Sequence, residues 1–391
     1  MTRVLAGIRV IEFGRFITGP YAAMLLADLG ADVVKVERAG SGDPFRSFEK
    51  GLYGPQFQAF NRNKRSIALD FELEQDQAAF RDLIAGADVL IQNSRPGAAD
   101  RFGIGPEQAR TLNPRLVHCE ITGFGRDGPY ARRPAYDTVA QAVSGFLSMF
   151  VSPEEPRIVG PAVSDSVTGL YAALGIMGAL MERERTGQGR LVEISMLEAT
   201  MHFAVEQFQG YFVNGKVPSP RDRGRVSQSL AFRCADGRTI ALHLSSPPKF
   251  WNGLLQAIGR PDLAQDPRFV QRMDRVRNHD QLEDVLRPIF ASQPRAHWLP
   301  LLEAADVPHA PVLGADEVVA DPQVRHLGID RTLVHPTEGE VRTLRTPIVY
   351  DGNRDGIVMT PPPVLDEHGA EIRRELAAAA PAPAMATSES Q

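Results

Sequence analysis

Along the first 120 residues, short runs of β-branched and apolar side chains alternate with stretches of helical spacing. "IRVIEF" (8–13), "ADVVKVE" (31–37), "SIALDF" (66–71), "ADVLIQN" (87–93) and "LVHCEIT" (116–122) read as strands, and "YAAMLLADLG" and "DQAAFRDLIAGA" as intervening helices. Strands and helices in strict alternation imply a parallel sheet covered on both faces, a doubly wound α/β domain. Such sheets bind ligands in the crevice beyond the carboxyl ends of their strands. This singles out "EFGRFITGP", "ERAGSGDP", "NSRPGAADRFG" and "GFGRDGP", the stretches that follow strands one, two, four and five. An apolar run at 170–181 predicts a buried helix, too short to span a bilayer. "TGQGRLVEISMLEATMHFAVEQF" then adds a strand and a helix.

The pattern changes after residue 205. The stretch 213–229 is rich in Pro, Gly, Ser and Arg and reads as a linker or mobile loop. It is followed by a hairpin around Asp236-Gly237 and by helices near 248–258, 279–291 and 296–305. The expected organisation is a large domain over 1–205, a linker over 206–224 and a small α+β domain over 225–315. A second linker over 316–330, a return to the large domain over 331–375 and a disordered tail over 376–391 complete it.

Composition narrows the function classes. The 391 residues are 43% hydrophobic and 23% charged with a net charge of −5, the profile of a globular chain. Charges of both signs are interspersed, without the basic surface that nucleic acid requires. Cys119 and Cys234 lack partners at metal-ligand spacing, so neither a disulfide framework nor a metal site is expected, and a cytoplasmic location suits them. No membrane partner is expected.

Three features are candidates for chemistry. "GRFITGP" has the glycines of a phosphate-binding turn but not the G-x-G-x-x-G spacing of dinucleotide folds; it reads equally as a turn leading into a helix. Arg15, Arg38, Arg46, Lys64, Arg65, Arg95 and Arg101 fall at or near loops, either as ordinary surface charge or as a cluster for an anionic ligand. In "AVSDSVTG", Asp165 precedes the long apolar run, where it serves as a helix N-cap or as a carboxylate nucleophile. The two roles are compatible, since a helix N-terminus favours the ionised acid. There is no G-x-S-x-G elbow. His118 reads as a satisfied core residue, and His243 and His309 as structural.

Taken in order, "GIRVIEFGRFITGPYAAMLLADLGADVVKVE", "NRNKRSIALDF", "NSRPGAADRFGI", "ITGFGRDGPYARRPAYDTVAQAVSG", "DSVTGLYAALGIMGALMERERTGQGRLVEISMLEA", "DPRFVQRMDRVRNHDQL", "DVPHAPV" and "PPPVLDEHG" resemble the family III CoA-transferases. That group also contains the α-methylacyl-CoA racemases. The resemblance spans nearly the whole chain. It implies a Rossmann-like large domain formed by both chain ends, a smaller inserted α+β domain and an interlocked homodimer. It implies acyl-CoA and carboxylic acid as substrates, no tightly bound cofactor and no metal. Asp165 falls on the family's nucleophile. The CoA-contacting positions fall on Phe16, Ile17, Arg38, Leu69, Asp70, Phe71, Glu72, Asn93, Ser94, Arg95, Arg101, Pro134, Ala135, Tyr136 and Asp137.

Two departures bear on activity. Formyl-CoA:oxalate transferases carry glutamine where this chain has Ile17, and a glycine run where it has Val226 to Ser229, which argues against oxalate as substrate. Racemases carry a catalytic histidine where this chain has Tyr136. Transfer through an aspartyl-CoA thioester is the reading favoured, with a dicarboxylate such as succinate on the donor. Arg15, Arg46, Arg223 and Arg225 are candidates for its second carboxylate, and the amides of "RVSQS" (225–229) for stabilising negative charge. A racemase and a non-catalytic CoA-binding protein are the alternatives.

Overall fold

A computed structural model describes residues 3–379, except 50, 153 and 355. It forms two compact units, one of Met1–Leu147, Ile158–Phe208 and Arg325–Gln391, the other of Ser148–Arg157 and Gln209–Val324.

The first unit is built on six parallel strands: β1 (Arg9–Phe13), β2 (Asp32–Arg38), β3 (Lys64–Leu69), β4 (Val89–Gln92), β5 (Val117–Thr122) and β6 (Leu191–Ser195). Their order is β3-β2-β1-β4-β5-β6, with register partners such as Ile11↔Val34 and Ile11↔Leu90. Chain direction across the sheet therefore reverses between β1 and β4, which opens a crevice at their carboxyl ends. Successive residues supply opposite faces. Val10, Val33, Val89, Val117 and Cys119 pack beneath the helices Thr18–Asp28 and Val163–Thr186. On the other face, Ile11, Val34, Ile67 and Leu90 meet Phe80, Leu83 and Ile84 of the helix Glu74–Ala85, with Ile372 of the C-terminal helix Gly369–Ala379.

The long helix extends well beyond its apolar run. At 24 residues it has the length and composition to cross a bilayer, yet Ala172, Ala173, Ile176, Ala179 and Leu180 are buried in the core. Near the C-terminus, β10 (Asp330–His335) and β11 (Gly339–Leu344), numbered in chain order after the three strands below, pair only with each other as an antiparallel hairpin. Residues 376–379, expected to belong to a disordered tail, are helical instead: Leu376 packs on the core beside Ile372 and the helix continues to Ala379. The remainder, 380–391, lies outside the described residues.

In the second unit, β7 (Ser229–Arg233), β8 (Thr239–His243) and β9 (His309–Pro311) form an antiparallel sheet. It packs on the helices Pro248–Ala257, His279–Ala291 and Arg295–Ala304 around Phe232, Trp251, Phe290 and Trp298. Both expected linkers contain helix: Val205–Asn214 and Asp222–Ser227 in the first, Ala315–Val318 and Pro322–Leu327 in the second. The backbone of 225–229 is spent on the end of one of these helices and the start of β7. The Gln228 N–H donates to the Arg225 carbonyl, so this segment is not the open row of amides expected.

Candidate active site

Two adjoining cavities occupy the crevice at the carboxyl ends of the strands. The larger, about 840 Å³, is walled by the ends of β1 and β2 and by the loops after β3 and β4. Arg15, Arg38, Arg95 and Arg101 line it together with Asp70, Phe71, Glu72 and Ser94. Among the described residues none of these four arginines has an ion-pair partner, so their N–H groups remain available to phosphate oxygens. The smaller cavity, about 320 Å³, shares Arg15, Ser94 and Arg95 with the first. It continues along Phe16, Ile17, Asn93, Pro134, Ala135 and Tyr136 to Asp165.

The arginine cluster separates into two groups. Arg46 is fully buried, paired with both oxygens of Glu37 at 2.7 Å, and Lys64 is buried against Glu12 at 2.8 Å. Arg65 lies at the opposite end of the sheet, paired with Asp32, Glu371 and Glu375. None of the three reaches a cavity, which removes Arg46 as a carboxylate receptor. Arg225 is likewise occupied, paired with Asp280 at 2.8 Å.

Asp165 stands at the third residue of the long helix rather than at its cap. The N-cap is Ala162, and no side chain caps the helix. Ser164, beside it, is buried and bonded to Thr200. The Asp165 N–H, left unpaired by the helix, donates to Asp137 Oδ1 at 3.2 Å. Asp137 Oδ2 in turn accepts from Gln141 at 2.6 Å. Asp137 thus sits behind Asp165 and does not line the cavity. The helix terminus does not hold Asp165 in the ordinary carboxylate range. Burial, followed by the nearby Asp137 carboxylate, pushes its pKa up to about 7. The acid is half-buried and opens on the cavity.

Of the other expected contacts, Leu69 belongs to the core and is fully buried. Asn93 shapes the site from below: it accepts the Arg15 N–H at 3.0 Å and donates to the Arg15 carbonyl at 2.7 Å. Ser94 is fixed through buried Gln92, which accepts its N–H at 2.8 Å and donates to Glu120 at 2.8 Å. His118 is buried as expected but not satisfied. Neither ring nitrogen has a hydrogen bond, and burial, with Arg126 assisting, lowers its pKa to about 4. His243 and His309 are bonded within their own unit, to Ser229 and to the Val307 carbonyl. No histidine lines either cavity.

The sequence reading missed Thr122, Gly123 and Arg133 in the smaller cavity and Ser41, Gly42 and Asp43 in the larger. For Ser41, Gly42, Asp43 and Gly123 the signal was positional, because they lie in "ERAGSGDP" and "GFGRDGP", which follow strands whose ends open on the crevice; Thr122 closes β5, and Arg133 lies further along the same loop.

An arginine-lined chamber leading to an accessible carboxyl suits a phosphorylated thioester attacked by an acid. The sequence model of CoA-transferase family III matches residues 5–369. The chain belongs to CoA-transferase family III. It is similar to acetyl-CoA:oxalate CoA-transferase of Acetobacter aceti, 36% identical and covering 95% of each chain. It is 31% identical to succinyl-CoA:glutarate CoA-transferase of Homo sapiens, covering 95% of this chain and 86% of the relative. Among solved structures, a CAIB/BAIF family protein from Brucella suis superimposes with a TM-score of 0.84 at 33% identity, covering 95% of this chain and 99% of the other. Family III CoA-transferases use CoA thioesters as substrates, with no tightly bound cofactor, and this chain is an enzyme of that transferase class.

Proposed function

We propose that this CoA-transferase works through an aspartyl-CoA thioester on Asp165, with CoA phosphates in the larger cavity and the acyl end in the smaller. The observation that carries this reading is Asp165 itself: a carboxyl that caps nothing, opens on the cavity and has its pKa pushed up to about 7. As a carboxylate it attacks the donor thioester carbonyl, and CoA leaves as thiolate, forming an acyl–aspartyl anhydride. The thiolate then attacks the aspartyl carbonyl and releases the donor acid, leaving CoA on the enzyme. An acceptor carboxylate attacks that thioester to form a second anhydride. The returning thiolate takes the new acyl group and restores Asp165.

For substrates, we infer dicarboxylates larger than oxalate. Ile17 adds an apolar side chain to the cavity that holds Asp165, and Arg133, whose guanidinium lies 3.6 Å from the Tyr130 ring centre, adds a cation there with no acid partner among the described residues. Relatives are named for oxalate and for glutarate, so overall likeness does not choose between them. The test is a steady-state panel of acetyl-, formyl- and succinyl-CoA donors against oxalate, succinate and glutarate. Parallel double-reciprocal lines, with glutarate or succinate preferred, support the reading; no carboxylate-dependent exchange with any pair opposes it. Racemisation is disfavoured by the exposed Tyr136 and by the lack of histidine in the cavities.

The proposed homodimer draws support from the outer face of the long helix. Leu170, Leu174 and Met181 are 49%, 60% and 74% exposed, with Val139 and Val143 of the helix Asp137–Val143 exposed as well. Exposed apolar surface of this kind marks an interaction site. Light scattering is expected to give twice the 42.8 kDa chain mass, and Leu174→Glu with Met181→Glu to give the single-chain mass. A cytoplasmic setting is proposed from the two buried free cysteines.

A further inference from the structure

The turn that follows β1 is held by charges that never reach solvent. Lys35, in the middle of β2, is fully buried, and its ammonium donates to Glu12 Oε1 at 2.7 Å and to the Gly14 carbonyl at 3.1 Å. The same ammonium makes an ion pair with Asp43 Oδ2 at 2.9 Å. Asp43 Oδ1 accepts the N–H of Phe16 at 3.2 Å and of Phe45 at 2.9 Å. One buried cation therefore grips both ends of the turn, its first carbonyl directly and its last N–H through Asp43. Asn93 holds the residue between them by the two bonds described above. Glu37, locked by Arg46, accepts the Asp43 N–H at 2.9 Å and fixes the loop that carries the acid.

The consequence is visible in the backbone. Phe16 has φ 64°, a left-handed conformation that a bulky side chain avoids unless its surroundings impose it. In that conformation its ring meets Tyr136 edge-on, with centroids 5.7 Å apart, on the wall of the cavity that holds Asp165. Burying charges costs desolvation, and such pairs are better at specifying one geometry than at adding stability. Burial works against the Lys35 ammonium, but Glu12, Asp43 and Glu37 together outweigh it and keep the clamp charged. Lys64, on the far side of Glu12, is drawn down to about 8, chiefly by burial.

We propose that Asp43, backed by Lys35, is a positioning residue for CoA transfer: it holds Phe16 in the left-handed conformation that shapes the wall beside Asp165. The proposal rests on the reading of Asp165 as the reacting group. It couples residue 43 to residue 16 specifically, and glycine adopts a positive φ without help.

A double-mutant cycle tests it. In the Phe16 background, Asp43→Ala is expected to slow aspartyl-CoA formation from saturating acyl-CoA at least about thirty-fold. In the Phe16→Gly background the same substitution is expected to slow it no more than about three-fold. A role limited to general stability predicts equal factors in both backgrounds and overturns the proposal. The crystal structure of Asp43→Ala, or of Asp43→Asn should the alanine variant not fold, reads the turn without reference to activity. Phe16 relaxing to negative φ with its ring leaving Tyr136 supports the proposal; Phe16 remaining near its present φ overturns it. If the unmodified enzyme forms no adduct with any acyl-CoA, the reading of Asp165 fails, and the crystal structure alone decides the role of Asp43.

Discussion

Asp165→Asn is expected to lose CoA transfer by roughly ten-thousand-fold or more while still binding CoA. The substitution keeps the shape of the side chain and removes the one carboxyl among the described residues that line the smaller cavity. Arg38 and Arg101 line only the larger cavity, and none of the four cavity arginines is altered, so equilibrium binding of CoA is expected within about three-fold of the unmodified enzyme. Loss of binding in parallel with loss of turnover would place Asp165 in recognition instead of reaction. The N–H that donates to Asp137 belongs to the backbone and survives the substitution. The helix start is thereby preserved, and the comparison isolates the carboxyl.

The same residue predicts a pH-dependent cost in stability. Its folded pKa is pushed from 3.8 up to about 7, by burial first and the Asp137 carboxylate second. Below the unfolded value both states hold the proton, and there is no penalty. As the pH rises through the interval, the unfolded chain ionises while the folded one does not, so stability falls and levels off above the folded value. Asp165→Asn is therefore expected to stabilise the protein at pH 8, by up to about 4 kcal/mol if the full shift is expressed. At pH 4 it should leave stability almost unchanged. Chemical denaturation of the two proteins at both pH values checks this. A stability difference that does not grow between pH 4 and pH 8 would show that Asp165 ionises in the folded protein as freely as in water. A stability gain in Asp165→Asn at pH 8 is the expected signature of a reactive carboxyl held in an incompletely solvated site.

How much of this was legible in the sequence depended on what each residue faces. The strands were readable because a parallel sheet buried on both faces demands continuous β-branched runs, and the loops at their carboxyl ends followed from that alone. Arg38, Arg95 and Arg101 line the larger cavity for that reason. The same burial hid Lys35 and Arg46. A charged side chain within "DVVKVER", or in the loop after it, reads as solvated surface, and only the folded sheet reveals acids on neighbouring strands waiting to pair with it. Asp165 was readable as a candidate because of its place before an apolar run. Its environment was not, since the pKa depends on burial in the fold and then on Asp137, 28 residues away in the chain. Leu69, the final residue of β3, belongs to the core, while Asp70, Phe71 and Glu72 after it open on the crevice; a continuous run of positions does not show that boundary.

The central claim is that CoA becomes covalently attached to Asp165 during turnover. Intact-protein mass spectrometry after incubation with a donor acyl-CoA, with borohydride or hydroxylamine to mark the activated carboxyl and peptide mapping to locate it, measures this directly. A mass increase corresponding to CoA less water, mapped to Asp165 and absent in Asp165→Asn, is the expected result. Turnover of acyl-CoA and acid with no adduct, or an adduct that persists in Asp165→Asn, would contradict it.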